Sequence, residues 1–246
     1  MIWPAILGAL NPLGFQVSAV TFDGSNAYMN RGADLTGNAD GKQGTLSFWF
    51  KINGGDDATQ EIYQTSAAPF LVRHTNANKF YINGQNVGTA DILTMASNSA
   101  YIADGTWHHL LSSWHLTVAD TNFLIDGVDD EAAGSVATDD LINYTAADHS
   151  IGAYIDGTSK INMDIAEFYL NLSARLTTAD MLLKFRANGK PKDLGADGSL
   201  PTGTAPIVYQ SVRPGDAATV FATNKGTGGN FTSTGALAIA ATSPSD

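Results

Sequence analysis

The sequence predicts an all-β fold: a two-sheet antiparallel jelly-roll sandwich with one short helix and extended N- and C-terminal appendages. Three observations predict it. Apolar and polar residues alternate in short runs along most of the chain, Gly, Asp and Asn punctuate those runs, and only one stretch spaces its apolar residues as a helix does. A length of 246 residues suits a single large sandwich, since such folds run to roughly 200–250 residues as one unit. Hydrophobic residues make up 43% of the chain, ample for a core, whereas charged residues reach only 15%, well below the usual share of about a quarter. The polar surface must therefore come mainly from Ser, Thr, Asn and Gly, as expected for many turns and for a surface partly hidden by partners.

The predicted strands are residues 17–22, 45–51, 70–74, 80–83, 106–116, 122–125, 150–155 and 164–171. Asp23-Gly24, Asn83-Gly84, Asp126-Gly127 and Asp156-Gly157 read as hairpin turns, because Asp and Asn followed by Gly accept the positive φ angles of such turns. One helix is predicted over residues 179–187. Thr177 caps it, Asp180 stands three residues on, Met181, Leu182 and Phe185 share one side, and Gly189 with Pro191 ends it. Residues 195–206 are rich in Gly and Pro. Two short strand-like pieces and a Gly/Thr/Ala-rich tail follow, without the apolar weight of a domain. The organisation is thus an apolar N-terminal arm (1–16), a sandwich (17–175), and a helix plus C-terminal extension (176–246) packed on the sandwich or on a neighbouring subunit.

Alternation sorts the side chains into two faces. Leu46, Phe48 and Phe50 form the core side of their strand, leaving Ser47 and Trp49 opposite. Ala166, Phe168 and Leu170 share one face, with Ile165, Glu167 and Tyr169 on the other. If Leu110 and Trp114 point inward, the outer face carries Trp49, Trp107, His109, His115, Glu167 and Tyr169. Flat aromatics among hydrogen-bonding groups are what a sugar-binding face needs, since rings stack on the C–H side of a pyranose while polar groups hold its hydroxyls. The alternative is that these residues pack under a loop or against another subunit.

The ordered series 22–28 (Phe-Asp-Gly-Ser-Asn-Ala-Tyr), 44–51 (Gly-Thr-Leu-Ser-Phe-Trp-Phe-Lys), 105–109 (Gly-Thr-Trp-His-His), 123–127 (Phe-Leu-Ile-Asp-Gly), 151–153 (Ile-Gly-Ala) and 165–168 (Ile-Ala-Glu-Phe) resembles the concanavalin A-like lectin/glucanase superfamily, in its laminin-G-like branch. The resemblance covers roughly residues 17–175. Residues 188–198 and 224–232 are similar to segments that follow this domain in structural proteins of tailed bacteriophages. That resemblance implies a virion protein of head-spike, decoration or tail-fibre type, assembled in the host cytoplasm and exposed on the particle surface. It implies other virion proteins and further copies of itself as partners, and host surface polysaccharide as ligand. A free bacterial lectin module and a purely architectural decoration protein remain open as alternatives.

Enzymatic function is not expected. The glucanase branch sets its carboxylates as Glu-x-Asp-x-(x)-Glu on one strand, and this chain has three Glu in all, Glu61, Glu131 and Glu167, among 24 acidic residues. The nearest pair, Asp164 and Glu167, would face opposite sides of a regular strand. No Gly-x-Ser-x-Gly elbow is present. His109 and His115 share a face but stand about 20 Å apart along a strand, too far to ligate one metal. Calcium is the one ion the superfamily resemblance suggests, with Asp126, Asp129, Asp130 and Glu131 as candidate ligands, because hard oxygen donors suit it; a solvated acidic turn is the alternative reading of that cluster. No other cofactor is expected. With a net charge of −11 and no basic cluster, nucleic-acid binding is disfavoured, and zero cysteines exclude disulfides and thiolate metal sites. The arm carries Trp3, Ile6, Leu7, Leu10 and Phe15. It is too short and too broken by Pro4 and Pro12 for membrane insertion, and so much apolar surface is expected to anchor the protein in an assembly.

Overall fold

The computed structural model describes residues 14–246. Its strands are β1 (Val20–Asp23), β2 (Tyr28–Asn30), β3 (Gln43–Ile52), β4 (Gln60–Thr65), β5 (Phe70–His74), β6 (Phe80–Gln85), β7 (Asp91–Ala96), β8 (His108–His115) and β9 (Asp120–Ile125). There follow β10 (Val128–Asp129), β11 (Val136–Ala137), β12 (His149–Ile151), β13 (Asn162–Asn171), the helix α1 (Thr178–Phe185), β14 (Arg186–Ala187), β15 (Lys190–Pro191), β16 (Val208–Gln210), β17 (Thr232–Thr234) and β18 (Ala238–Ile239). Two antiparallel sheets of eight strands face each other. The first runs β10-β9-β8-β3-β13-β1-β18, with β16 also paired to β13; the second runs β11-β7-β6-β5-β4-β12-β2-β17.

The alternating apolar rows meet between the sheets. Leu46, Phe48 and Phe50 of β3 and Leu110 and Trp114 of β8 project inward, as alternation requires, toward Phe70, Val72, Phe80 and Ile82 of the second sheet. Phe48 stacks on Phe168 at 5.8 Å and meets Phe80 edge-on at 6.2 Å. The one polar atom of Trp114 is satisfied: its indole N–H donates to the Tyr144 hydroxyl at 2.6 Å, which donates in turn to the Gln43 carbonyl at 3.2 Å. A buried indole left without an acceptor would be destabilising, so this pair lets a large ring sit in the core.

Three predicted turns are differently placed, among them Asp156-Gly157, which lies in the loop between β12 and β13 of different sheets. Asn83-Gly84 lies inside β6, where the Ile142 side chain occupies the space a Cβ at Gly84 would need. Asp23-Gly24 does not close a hairpin, because β1 and β2 belong to different sheets. There the Asp23 carboxylate accepts from the backbone N–H groups of Ser25, Asn26 and Ala27 and steers the crossing. Asp126-Gly127 does join β9 to β10, with both φ angles positive.

A β-bulge in β13 overturns the facing predicted for residues 164–171. Ala166 pairs with Trp49 and Tyr169 with Ser47, so three steps on β13 match two on β3. Glu167 sits at the bulge with φ +51°, a left-handed conformation uncommon for a side-chain-bearing residue. Ile165 therefore faces the core, Ala166 packs outward with Trp49, and Phe168 and Leu170 face inward again. The bulge also brings Asp164 and Glu167 to the same outer side, against expectation. Each is committed elsewhere, Asp164 to Lys51 at 2.8 Å and Glu167 to Arg213.

The C-terminal residues are woven into the sandwich. β16 and β18 extend the first sheet and β17 the second. Thr177 caps α1 as predicted, its hydroxyl accepting from the Asp180 N–H at 3.2 Å. Met181 and Phe185 of α1, with Leu194, then pack onto Leu111, Leu124, Tyr169 and Tyr209 on the outer side of the first sheet. A third layer thus covers that sheet. No helix among the described residues is long and apolar enough to cross a membrane.

Candidate functional site

The six residues predicted for a sugar face share the outer side of the first sheet, but they do not form an open surface. Trp49, His109, Glu167 and Tyr169 are all at most 3% exposed. Trp49 stacks flat on His109 at 4.1 Å, and the Arg186 guanidinium lies 5.8 Å from the Trp49 ring. His109 shares a hydrogen bond of 2.9 Å with Ser47 Oγ, and burial depresses its basicity well below that of an ordinary histidine. Tyr169 packs edge-on against Phe185. Trp107 and His115 are half-buried at the strand ends, with the Trp107 indole donating to Thr242 at 3.1 Å. The physical reason for the correction is that apolar residues from both ends of the described chain bury themselves on this face, Met181, Phe185 and Leu194 around Tyr169 and Phe15, Val17 and Ala240 around Trp49. Packing under another part of the chain, the alternative reading of these residues, is what occurs.

The centre of that layer is a buried ion pair. Glu167 accepts from the Tyr209 hydroxyl at 2.7 Å and pairs with Arg213, whose guanidinium also reaches Tyr209 at 3.0 Å. Burial pushes the Glu167 carboxyl above the usual carboxylate range, and Arg213 opposes that push. Phe15 lies 4.6 Å below the same guanidinium, which places the start of the described chain on this side of the sandwich. Trp3, Ile6, Leu7 and Leu10, the other predicted anchor residues, lie outside the described residues.

The predicted calcium ligands do not converge. Asp126 bonds His108 at 2.6 Å and the His109 N–H at 2.9 Å. Asp129 accepts from the Glu131 N–H, Asp130 from Ser99 and from the Tyr101 hydroxyl, and Glu131 from Thr121. Their turn spreads them to separate partners, and among the described residues no three His, Asp or Glu side chains are grouped to hold a metal.

The outer side of the second sheet is different. Register places Gln64, Leu71, Asn83 and Thr94 in one row across β4–β7, and Glu61, Arg73 and Tyr81 in the next. Arg73 and Glu61 pair at 3.0 Å, with Glu61 almost wholly buried and Arg73 partly exposed. The Asn83 amide donates to Asp91 at 3.0 Å, and Gln85 donates to the same carboxylate oxygen at 2.9 Å. Burial raises the Glu61 carboxyl, with Arg73 opposing; the Asn83 and Gln85 amides hold Asp91 below the usual range. At one edge of this face lies a groove of about 140 Å³ lined by Tyr81, Thr94, Met95, Ala96 and residues 132–135.

This arrangement leaves hydrogen-bonding capacity unused. Glu61 Oε2, Arg73 Nε and both amide atoms of Gln64 are buried without a partner. Most buried polar atoms in proteins are bonded; His109 Nδ1, Arg186 Nη1 and both amide atoms of Gln210, on the first-sheet side, are likewise without a partner. Acid–base catalysis is a poor fit, because Glu61 and Asp91 lie three strands apart, about 14 Å or more, beyond the roughly 5–9.5 Å that glycosidases use. The Tyr, Arg, Glu and amide side chains of this side offer both donors and acceptors of hydrogen bonds. Sequence reasoning missed Glu61, Gln64, Asp91 and Thr94 because β4 and β7 were not predicted, and although Arg73, Tyr81 and Asn83 lie on predicted strands, their side was not sorted.

The family model of the concanavalin A-like lectin/glucanases superfamily matches residues 23–178. No curated protein matches. Among solved structures, a candidate carbohydrate-binding protein from Bacteroides ovatus is similar with a TM-score of 0.64 and 14% identity, over 92% of this chain. This chain spans 60% of that protein. A heptameric SAP-like pentraxin from Limulus polyphemus is similar with a TM-score of 0.48 and 13% identity, over 68% of this chain and 80% of its own. With the two-sheet sandwich in place and the model covering well over half of the sequence, the chain belongs to the concanavalin A-like lectin/glucanases superfamily.

Proposed function

We propose that this chain is a glycan-binding module displayed on a bacteriophage particle, where it contacts host surface polysaccharide. One observation carries the binding part: the outer side of the first sheet is covered, while that of the second carries the partly exposed Arg73, Tyr81 and Thr94 beside a groove of about 140 Å³. The display part rests on the similarity of residues 188–198 and 224–232 to segments of phage structural proteins. It is also supported by the placement of Phe15 on the covered side, since an arm leaving there would let the opposite sheet face outward. Neighbouring copies and other virion proteins are the partners such an arm would engage. Binding requires no calcium in this reading, because the face holds enough donors and acceptors by itself.

The test combines two measurements. Purified protein is titrated against bacterial surface polysaccharides by calorimetry with and without chelator, and particles are assayed for the chain by mass spectrometry. Micromolar or tighter binding unaffected by chelator, with the chain present in particles, is the expected result. No binding to any polysaccharide overturns the lectin reading, and absence from particles overturns the display reading.

A further inference from the structure

We infer that the groove beside Tyr81 is a subsite for an acetamido group, so that the glycans taken by this face are those carrying an N-acetylhexosamine; this rests on the glycan-binding reading above. The groove exists because the chain after Asp130 does not follow β7 evenly. The Ala132 N–H donates to the Ala96 carbonyl at 2.8 Å, and Val136 pairs with Thr94. Residues 133–135 therefore stand opposite Met95 alone and arch away from the strand. The Ser135 hydroxyl donates to the Ala132 carbonyl at 3.3 Å across the base of the arch. Gly134, at φ +91°, has nothing within 4 Å of where a Cβ would stand, so the top of the arch is open.

Two features of this opening select its occupant. The first is an unused donor. The Ser97 N–H bonds the Phe80 carbonyl on β6 at 2.9 Å. Backbone groups alternate sides along an antiparallel strand, so the N–H and carbonyl of Ala96 both point away from β6, into the arch. The carbonyl is taken by Ala132, whereas the N–H makes no hydrogen bond among the described residues. Without a ligand only water can satisfy that donor. The second feature is a small, apolar lining: Ala96, Ala132 and Ala133 surround the opening with Met95, and no charged side chain lines it. A hydroxyl or a carboxylate brings an acceptor but no methyl for these alanines. An acetamido group brings both, a carbonyl for the Ala96 N–H and a methyl for the alanines. Size agrees, since a cavity of about 150 Å³ holds a benzene-sized group and this groove measures about 140 Å³. The Tyr81 ring, paired across from Ala96, then meets the C–H side of the pyranose.

The experiment titrates the full chain, labelled for amide NMR, with N-acetylglucosamine, N-acetylgalactosamine and N-acetylmannosamine, each against its parent hexose. Two variants accompany it: Ala96→Val, which fills the floor with a residue that favours strands, and Ala133→Glu, at an exposed position of the arch. At least one acetamido sugar is expected to bind about tenfold or more tighter than its parent hexose, the scale of a well-fitted apolar group in a pocket. The Ala96 amide proton is expected to shift on binding, and both variants to lose the preference with an unchanged melting temperature. N-acetylhexosamines that do not bind, parent hexoses bound as tightly, an Ala96 amide that stays in place, or variants that keep the preference overturn the inference; while the chain still binds a surface polysaccharide, the glycan-binding reading stands. A chain that binds neither these sugars nor any polysaccharide overturns both.

Discussion

Replacing Arg213 by Met isolates what the Glu167 ion pair contributes. Methionine keeps most of the side-chain volume, so the main loss is the charge facing a carboxylate that is 2% exposed. Breaking a fully buried pair typically costs about 3–5 kcal/mol. The Arg213 side chain is 28% exposed, so solvent screens part of the interaction and the expected loss sits at the low end, about 3 kcal/mol. For a chain of this size each kcal/mol moves the melting temperature by roughly 2–4 °C, which gives a drop of about 6–12 °C by circular dichroism. The double variant Glu167→Gln/Arg213→Met removes the stranded charge while the amide still accepts from Tyr209, and is expected to recover at least half of the loss. A single-variant loss under about 1 kcal/mol, or a double variant no more stable than Arg213→Met, would show that the pair does not hold the C-terminal layer on the first sheet.

Two further predictions concern packing and pH. A Cβ at Gly44 would lie 2.1 Å from the Trp114 ring, which is pinned by its bond to Tyr144, so Gly44→Ala is expected to destabilise by about 3 kcal/mol or more, read from the urea midpoint. Burial lowers the pKa values of His74, beside the Tyr101 carbonyl and Asp56, of His109, beside Arg186, and of His149, beside Asp34 and Tyr63. Below about pH 6.5 the unfolded chain therefore binds protons that these three refuse when folded, and they remove stability as pH falls. His108, raised by its bond to Asp126, and the raised Glu61 and Glu167 act in the opposite sense. His109→Gln, which cannot protonate, is accordingly expected to flatten the loss of melting temperature between pH 7.5 and 5.5; an unchanged slope would count against the assignment.

The residues that were legible in the sequence are those whose chemistry is repeated. Leu46, Phe48 and Phe50 alternate cleanly, so their strand and its core face could be read off, whereas around Leu110 and Trp114 the strand was legible but both faces carry large side chains, which leaves the inward one open. Thr177 and the apolar spacing of Met181 and Phe185 gave the helix within a residue or two. What could not be read is equally specific. A bulge changes facing without changing composition, so nothing in Ile165–Ala166–Glu167 announces it. Tyr169 looks like an exposed aromatic until Met181, Phe185 and Leu194 are known to cover it, and Trp49 until Phe15, Ala240 and Arg186 are known to pack around it. The candidate site was hidden by its own chemistry, because Gln60, Glu61 and Gln64 replace the apolar residues that would have marked β4 as a strand.

The pairing of β17 with β2 and of β18 with β1 has a consequence for biogenesis. β1 and β2 wait for partners made some two hundred residues later, so neither sheet acquires its final border until β17 and β18 have been made. Until then β1 and β2 each present an unpaired margin to any neighbouring nascent chain, a template for edge-to-edge aggregation. Contacts of such long sequence separation also slow folding. Truncations from the C-terminus, even short ones that spare the whole candidate site, should therefore lower the soluble yield before they alter any measured affinity.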